Sequence, residues 1–332
     1  MATYDVLSVG DTATDVFIRL SDAHVTIRDD DHGHFMEVPF GAKVPFDYAV
    51  TVDAGGNAAN AAVGLARLGL STAIAAHVGN DDTGRTMQAA LEHEGVDTHL
   101  VRFDPRLQSN RNFVLWFGSD RTILVHHQLF DYHWAQLSPR EVPRWMYLSS
   151  VGSDAPEYYD QIVAWLREEP TVRFAFQPGT FQIAQGVEAL RDLYERTSLL
   201  ICNREEAVEI SGADHGNLRG LLDSLHRIGP AIVVVTDGPD GAYASDGSQR
   251  YRVPAYPDPA PPVERTGAGD AFSSALVAAL VKGLPLPEAL SWAPVNAMSV
   301  VQEVGSQSGL LSQDRLRAYL AEAPDAYAVT TW

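Results

Sequence analysis

The chain has 332 residues, 45% of them hydrophobic, which is enough for one large domain around a buried core. Its formal net charge of -19 repels nucleic acid and anionic lipid, and excludes both as expected partners. One cysteine, Cys202, excludes an internal disulfide framework and fits a reducing compartment.

In chain order, Tyr4 to Gly10 is a short apolar run that reads as a buried strand. No basic n-region or 18-residue apolar run follows, so neither a signal peptide nor a membrane span is expected, and the location expected is cytoplasmic. From about residue 16 to 50 the helical period is lost in a charged RDDDHGH stretch followed by prolines and glycines. That segment reads as an excursion from the core. Gly56 to Leu68 is an alanine-rich helix stopped by Gly69, Ser71 to Val78 a strand, and Thr83 to Glu94 a helix. RNFVLWF and TILVHHQ around a Gly-Ser-Asp turn read as a hairpin. It sits in a second irregular segment, about 98–130, and is expected to share a small lid sheet with the first. Strands near 145–149, 172–176, 199–202 and 231–236 then alternate with helices. A second hairpin and helices over 270–281, 287–304 and 312–322 complete the chain. Strands alternating with helices predict an α/β fold with a mostly parallel sheet, one domain over 1–332 with a β-sheet lid.

Four segments carry chemistry. In VERTGAGDAFSSALVAAL, residues 263–280, a small-residue turn, Thr266-Gly267-Ala268-Gly269, opens directly into a helix. Converging backbone N–H groups and the helix N-terminus make an anion site that needs no lysine. That matters here, because only Lys43 and Lys282 exist. Asp270 at its mouth is a candidate base, or a plain helix cap. In AGGNAANAAVGLARLG, Gly55 and Gly56 permit close backbone approach, while Asn57 and Asn60 offer amides to a hydroxyl-rich ligand or cap the helix. In ICNREEA, Asn203 and Glu206 stand three apart after a strand, a spacing that can hold hydrated Mg²⁺ or simply cap a helix. In VVVTDGPDGAYA, Thr236, Gly238 and Gly241 end a buried strand beside a nucleotide or in an ordinary loop.

In this order and spacing the four segments resemble the ribokinase-like (PfkB) carbohydrate kinase family over nearly the whole chain. Gly55-Gly56, Asn60, Gly69 and Gly79 match its N-terminal pattern, and Thr266 to Asp270 its C-terminal one. The resemblance implies a three-layer ribokinase-like fold, ATP and Mg²⁺, and transfer of phosphate to a hydroxyl of a small sugar. Asp270 is then the general base and Gly267-Ala268-Gly269 the anion hole. It further implies Asp15 with Gly55, Gly56, Asn57 and Asn60 at the sugar, and Glu206 at Mg²⁺ through water. Asn203, Thr236, Gly238, Gly241, Thr266 and Asn296 fall on the ATP side. The pattern departs at Glu264, usually Asp, and at Arg265, usually small. In some relatives this region contributes to a bound monovalent cation such as K⁺, which the departure leaves open.

Two alternatives share the scaffold: a nucleoside kinase, which the FAFQPGT run leaves open, and a catalytically idle sugar-binding relative, against which Asp270 argues. No Gly-x₄-Gly-Lys-Ser/Thr run occurs, which excludes a P-loop kinase. GDTATD in place of Gly-x-Gly-x-x-Gly argues against a dinucleotide-dependent dehydrogenase. Trp116, Phe117, His126 and His127 are further candidates to shape the pocket from the lid. Along the hairpin Phe113, Leu115 and Phe117 alternate with Val114 and Trp116, so both faces are apolar. One would cover the site. The other calls for a second copy of the chain, giving a homodimer through the lid, or for the first excursion folded back over it.

Overall fold

The structure, a computed structural model, describes residues 4–21, 24–30, 33–118, 120–153 and 155–332. Asp31 and His32 of the charged stretch, Ser119 of the hairpin turn and the first three residues lie outside the described residues.

Among the described residues, nine strands form the central sheet. Its order is Thr330–Thr331, Arg250–Val253, Ala242–Ser245, Ile232–Thr236, Leu199–Asn203, Arg173–Phe176, Trp145–Leu148, Val6–Val9 and Thr72–Ala75. From Ile232–Thr236 to Thr72–Ala75 all pairings are parallel, and the second hairpin and the C-terminal strand add an antiparallel edge. Period-two alternation splits the core between the two faces. Leu7, Val9, Met146, Leu148 and Phe174 pack against helices Pro156–Glu168 and Leu218–Ile228. Val6, Trp145, Tyr147 and Ala175 pack against helices Asn57–Arg67, Ala268–Val281 and Leu286–Val301. Both faces covered is what a parallel sheet requires, and it gives the expected three layers. No helix among the described residues is long and apolar enough to cross a membrane.

Four strands, in the order Asp120–His126, Arg111–Phe117, Ala13–Leu20 and Phe46–Gly55, form the lid. The two irregular segments therefore do share one sheet, but its strands begin at Ala13 and run on to Gly55, beyond 16–50 at both ends. Residues 102–104 are no part of it: Arg102–Asp104 pairs with His77–Gly79, which is why the expected 71–78 strand divides at Ala76. On the lid's inner face lie Asp15, Phe17, Asn112, Val114, Trp116, Arg121 and Ile123; Phe17 and Val114 are buried against Val52. Trp116 is buried too, edge-on to Tyr48. On the outer face Phe113 is 38% and Leu124 51% exposed. Among the described residues the strands Thr26–Asp30 and Gly33–Glu37 pair only with each other and are exposed, and the first excursion leaves Phe113 and Leu124 of that outer face exposed.

Candidate active site

The C-terminal ends of the parallel strands face one crevice, where open α/β sheets bind ligands. Val9 leads through residues 10–12 into the lid strand Ala13–Leu20, which carries Asp15. Gln177 follows Phe176, Asn203 ends its strand, and Thr236 ends the next. Against these ends stands the N-terminus of the helix Ala268–Val281. Its cap is Gly267, whose φ of 85° suits glycine; an added Cβ there would come within 2.7 Å of Ser306 Cα. First-turn N–H groups have no partner inside a helix. Gly269 faces open space, since a Cβ on it would meet only Gln177 Nε2, at 3.9 Å. The Ala268 N–H makes a long bond of 3.4 Å to Arg265 O, so of the three turn residues it is partly occupied.

Asp270 sits in that first turn and does not cap it. It is 6% exposed, and both its oxygens are held from outside the helix. Asn60 Nδ2 donates to Oδ2 at 2.8 Å, and Gln177 Nε2 donates to Oδ1 at 3.1 Å. Burial pushes its pKa up to about 7, against the two amide donors, which favour the charged form. Asp15 and Glu206 add to the upward push through their charge. An acid poised near neutrality and aimed into a cleft is what general-base work at pH 7 needs.

Two clefts meet at this point. One, of about 340 Å³, is lined by Asp15, Gly56, Asn57, Asn60, Asn112, Val114, Arg121, Ile123, Gln177, Asn203, Glu206, Thr266, Gly267 and Asp270, and its walls are polar below and partly apolar on the lid. Asp15 is buried there; Asn112 Nδ2 donates to its Oδ1 at 2.9 Å, and burial pushes its pKa up to about 6. Gly55 makes room for it, because a Cβ would fall 2.2 Å from Asp15 Oδ2. The other cleft, of about 390 Å³, is an apolar slot lined by Gly238, Pro239, Gly241, Tyr256, Pro262, Phe272, Pro294, Ala297 and Met298. Thr236, Arg265 and Gly269 line both clefts.

The structure thus brings Asp15, Gly55, Gly56, Asn57, Asn60, Asn203, Glu206, Thr236 and the 266–270 turn to one crevice, with Gly238 and Gly241 beside it. Asn60 is spent largely on Asp270. Thr266 turns its hydroxyl onto Glu264 and lines the polar cleft, not the apolar one. Asn203 and Glu206 form a reciprocal capping box, Asn203 Oδ1 accepting from the Glu206 N–H and Glu206 Oε2 from the Asn203 N–H, and both still border the cleft. Asn296 is a correction. It is fully buried, donating to Ala271 O at 2.8 Å and accepting from Leu311 N at 2.9 Å, so it ties two segments of core together and does not line the slot. Trp116 faces inward but is packed within the lid, and Phe117 lies on the outer face. His126 shares that outer face, while His127 lies against Asp11 and Phe181 at the lid's exit.

Three participants were missed from sequence. Gln177 and Asn112 are lone amides whose partners are 93 and 97 residues away. Arg121 crosses from the lid to within 3.6 Å of buried Glu264. Only the FAFQPGT run offered a signal, and only for Gln177.

A family model, pfkB family carbohydrate kinase, matches residues 39–313. A fructokinase of Klebsiella pneumoniae is 30% identical over 284 residues, covering 80% of this chain and 85% of its own. An aminoimidazole riboside kinase of Salmonella typhimurium is 28% identical over 296 residues, covering 83% and 90%. The solved structure of Arabidopsis thaliana ribokinase complexed with ribose and ATP superposes with a TM-score of 0.77 at 19% identity, covering 96% and 99%, a likeness of fold.

Proposed function

The chain belongs to the pfkB family of carbohydrate kinases, and from that premise we propose that it is an ATP-dependent sugar kinase with Asp270 as its catalytic base. The observation that carries this is the Asp270 carboxyl itself: buried, fixed at both oxygens by Asn60 and Gln177, and set at the junction of a polar and an apolar cleft.

The polar cleft takes the acceptor and the apolar slot the adenine end of ATP. Asp15, Asn57 and Asn112 supply the acceptors and donors that hydroxyl pairs need, and a site of that kind rejects analogues lacking the hydroxyls. Asp270 accepts the proton of the attacking hydroxyl. The N–H groups of the 267–269 turn, with Ala268 the least available of them, receive the charge that develops on the phosphoryl oxygens. The lid, with Val114 and Ile123 facing in, keeps water from competing as acceptor.

The residues present fit Mg²⁺. Glu206 is a largely buried carboxylate whose pKa burial raises, and it borders the polar cleft with Asn203 beside it. These two would hold the ion through its water shell, and Mg²⁺ when bound would neutralise phosphate charge. A monovalent cation such as K⁺ beside Glu264 is the remaining possibility of the family pattern. Arg121 already brings positive charge there, and a K⁺ titration of activity tests it. We further propose a cytoplasmic homodimer joined through the lid's outer face.

ATP consumption over a panel of free sugars and nucleosides tests the reading. Turnover with a sugar supports it, turnover with nucleosides alone replaces it by the nucleoside kinase, and none with any acceptor returns the chain to an idle binder.

A further inference from the structure

Arg265 is the residue to which neither composition nor family pattern gives a role. It follows buried Glu264 and precedes the anion turn, and it lines both clefts, together with Thr236 and Gly269. Whatever passes from the apolar slot to the polar cleft passes these three residues. Among the described residues the Arg265 guanidinium makes no hydrogen bond and no ion pair; Asp258, across the slot, feels its charge but stands beyond ion-pair distance.

The charge around the junction is one-sided. Asp15, Glu206 and Asp270 face it, and neither Lys43 nor Lys282 lines either cleft. Among the described residues the one other cation in the two linings is Arg121, which faces Glu264 at 3.6 Å. A phosphoryl group moving toward Asp270 therefore approaches three carboxylates, and Arg265 is the positive charge there without a protein partner. A planar five-donor guanidinium matches phosphoryl oxygens in a way an ammonium does not.

We propose that Arg265 is a catalytic residue that binds the phosphoryl group in flight between ATP and the acceptor. This rests on the kinase reading above. In the step the bond from the γ-phosphorus to the ADP oxygen breaks and a bond to the acceptor oxygen forms. The acceptor proton goes to Asp270 and ADP leaves with the electron pair. Arg265 exchanges no proton; its fork holds the equatorial oxygens while their charge is greatest. Groups acting at that stage lower the barrier without tightening the ground state.

The test is Arg265→Met and Arg265→Lys, both at an exposed position where folding is not at risk; thermal midpoints check this. Calorimetry measures Mg·ADP alone, and Mg·ADP with aluminium fluoride as a phosphoryl mimic, beside whichever of D-fructose, D-ribose and the panel nucleosides the wild type turns over. In Arg265→Met, kcat is expected to fall about 10²–10³-fold, with ADP affinity within about threefold of wild type. The added affinity for the mimic should be lost by a similar factor, and Arg265→Lys should recover part of both. A mimic increment kept within about threefold overturns the proposal. So does an equal loss for ADP and for the mimic, which would make Arg265 an ordinary nucleotide contact. A wild type that turns over no acceptor sinks the kinase reading and this proposal together, whereas wild-type turnover with Arg265→Met unimpaired sinks this proposal alone.

Discussion

Asn60 Nδ2 stands 2.8 Å from Asp270 Oδ2, a contact across 210 residues of sequence. The amide cannot turn round, because its Oδ1 accepts from Ser306 Oγ and from Gln307 Nε2, each at 3.0 Å. Gln177 is fixed in the same sense, its Oε1 accepting from the Tyr147 hydroxyl while its Nε2 faces Asp270. Two pinned amides therefore hold both oxygens of one buried carboxylate that lines the polar cleft.

Replacing Asp270 by Asn removes the proposed proton acceptor and keeps the volume. Turnover is expected to fall on the order of 10²–10⁴-fold, with ATP binding still measurable by calorimetry. A variant retaining more than about a tenth of the wild-type rate, a fraction well above that range, would take Asp270 out of the role.

The pH profile follows from the Asp270 pKa, pushed up to about 7 by burial. With Asp270 as the proposed base the ionised form is the active one, so kcat/KM should rise with pH and level off above about 7. On the acid side it should fall about tenfold per unit. Gln177→Met deletes a donor that favours the ionised form, so its midpoint should move to higher pH. An unmoved midpoint would mean that Gln177 does not tune the base.

Glu206→Gln should raise the Mg²⁺ concentration needed for half-maximal rate more than it raises the sugar KM. The change removes the charge and keeps the shape of the capping box with Asn203, so the helix start should survive. An Mg²⁺ titration identical to wild type would leave the pair a cap and nothing more.

Asp15→Ala should worsen sugar KM and kcat together, since the buried carboxylate lines the polar cleft proposed for the acceptor and is held by Asn112. Gly55→Ala is a second route to the same defect, because its methyl group would displace Asp15 Oδ2. Steady-state kinetics of both variants check this; a Gly55→Ala enzyme with wild-type sugar KM would show that Asp15 can shift without consequence.

The lid's outer face predicts a homodimer near twice 36.1 kDa by light scattering at micromolar concentration. Phe113 and Leu124 are its exposed apolar members, so Phe113→Asp with Leu124→Asp should give monomers. Trp116 is buried on the inner side, and charge there should disturb the lid itself. A wild-type mass near 36.1 kDa removes the dimer, and a dimer that survives both substitutions puts the interface elsewhere.

Local pattern sufficed for much of this molecule. The mostly parallel sheet follows from apolar runs alternating with helical periods, and helix Asn57–Arg67 falls within the alanine-rich run from Gly56 to Leu68. The 266–270 turn is legible because glycine spacing and a helix start are properties of neighbouring residues. So is the Asn203–Glu206 pair, whose spacing of three reads equally as a cap and as a metal element; the structure contains the cap.

What the tertiary structure alone decided is what each side chain meets. Asn296 reads as a ligand amide and is instead spent on Ala271 and Leu311, since a buried amide must find partners and the nearest were backbone groups. Asn112, Gln177 and Arg121 carry no local signal, because their partners Asp15, Asp270 and Glu264 come from remote elements that only the closed sheet and the lid bring near. The sequence by itself determined the alternation of strands and helices, the turn and the place of Asp270 in it. The raised pKa of that acid, the amides that aim it and the meeting of two clefts at Arg265 arise from burial and from long-range packing, which residue order does not display.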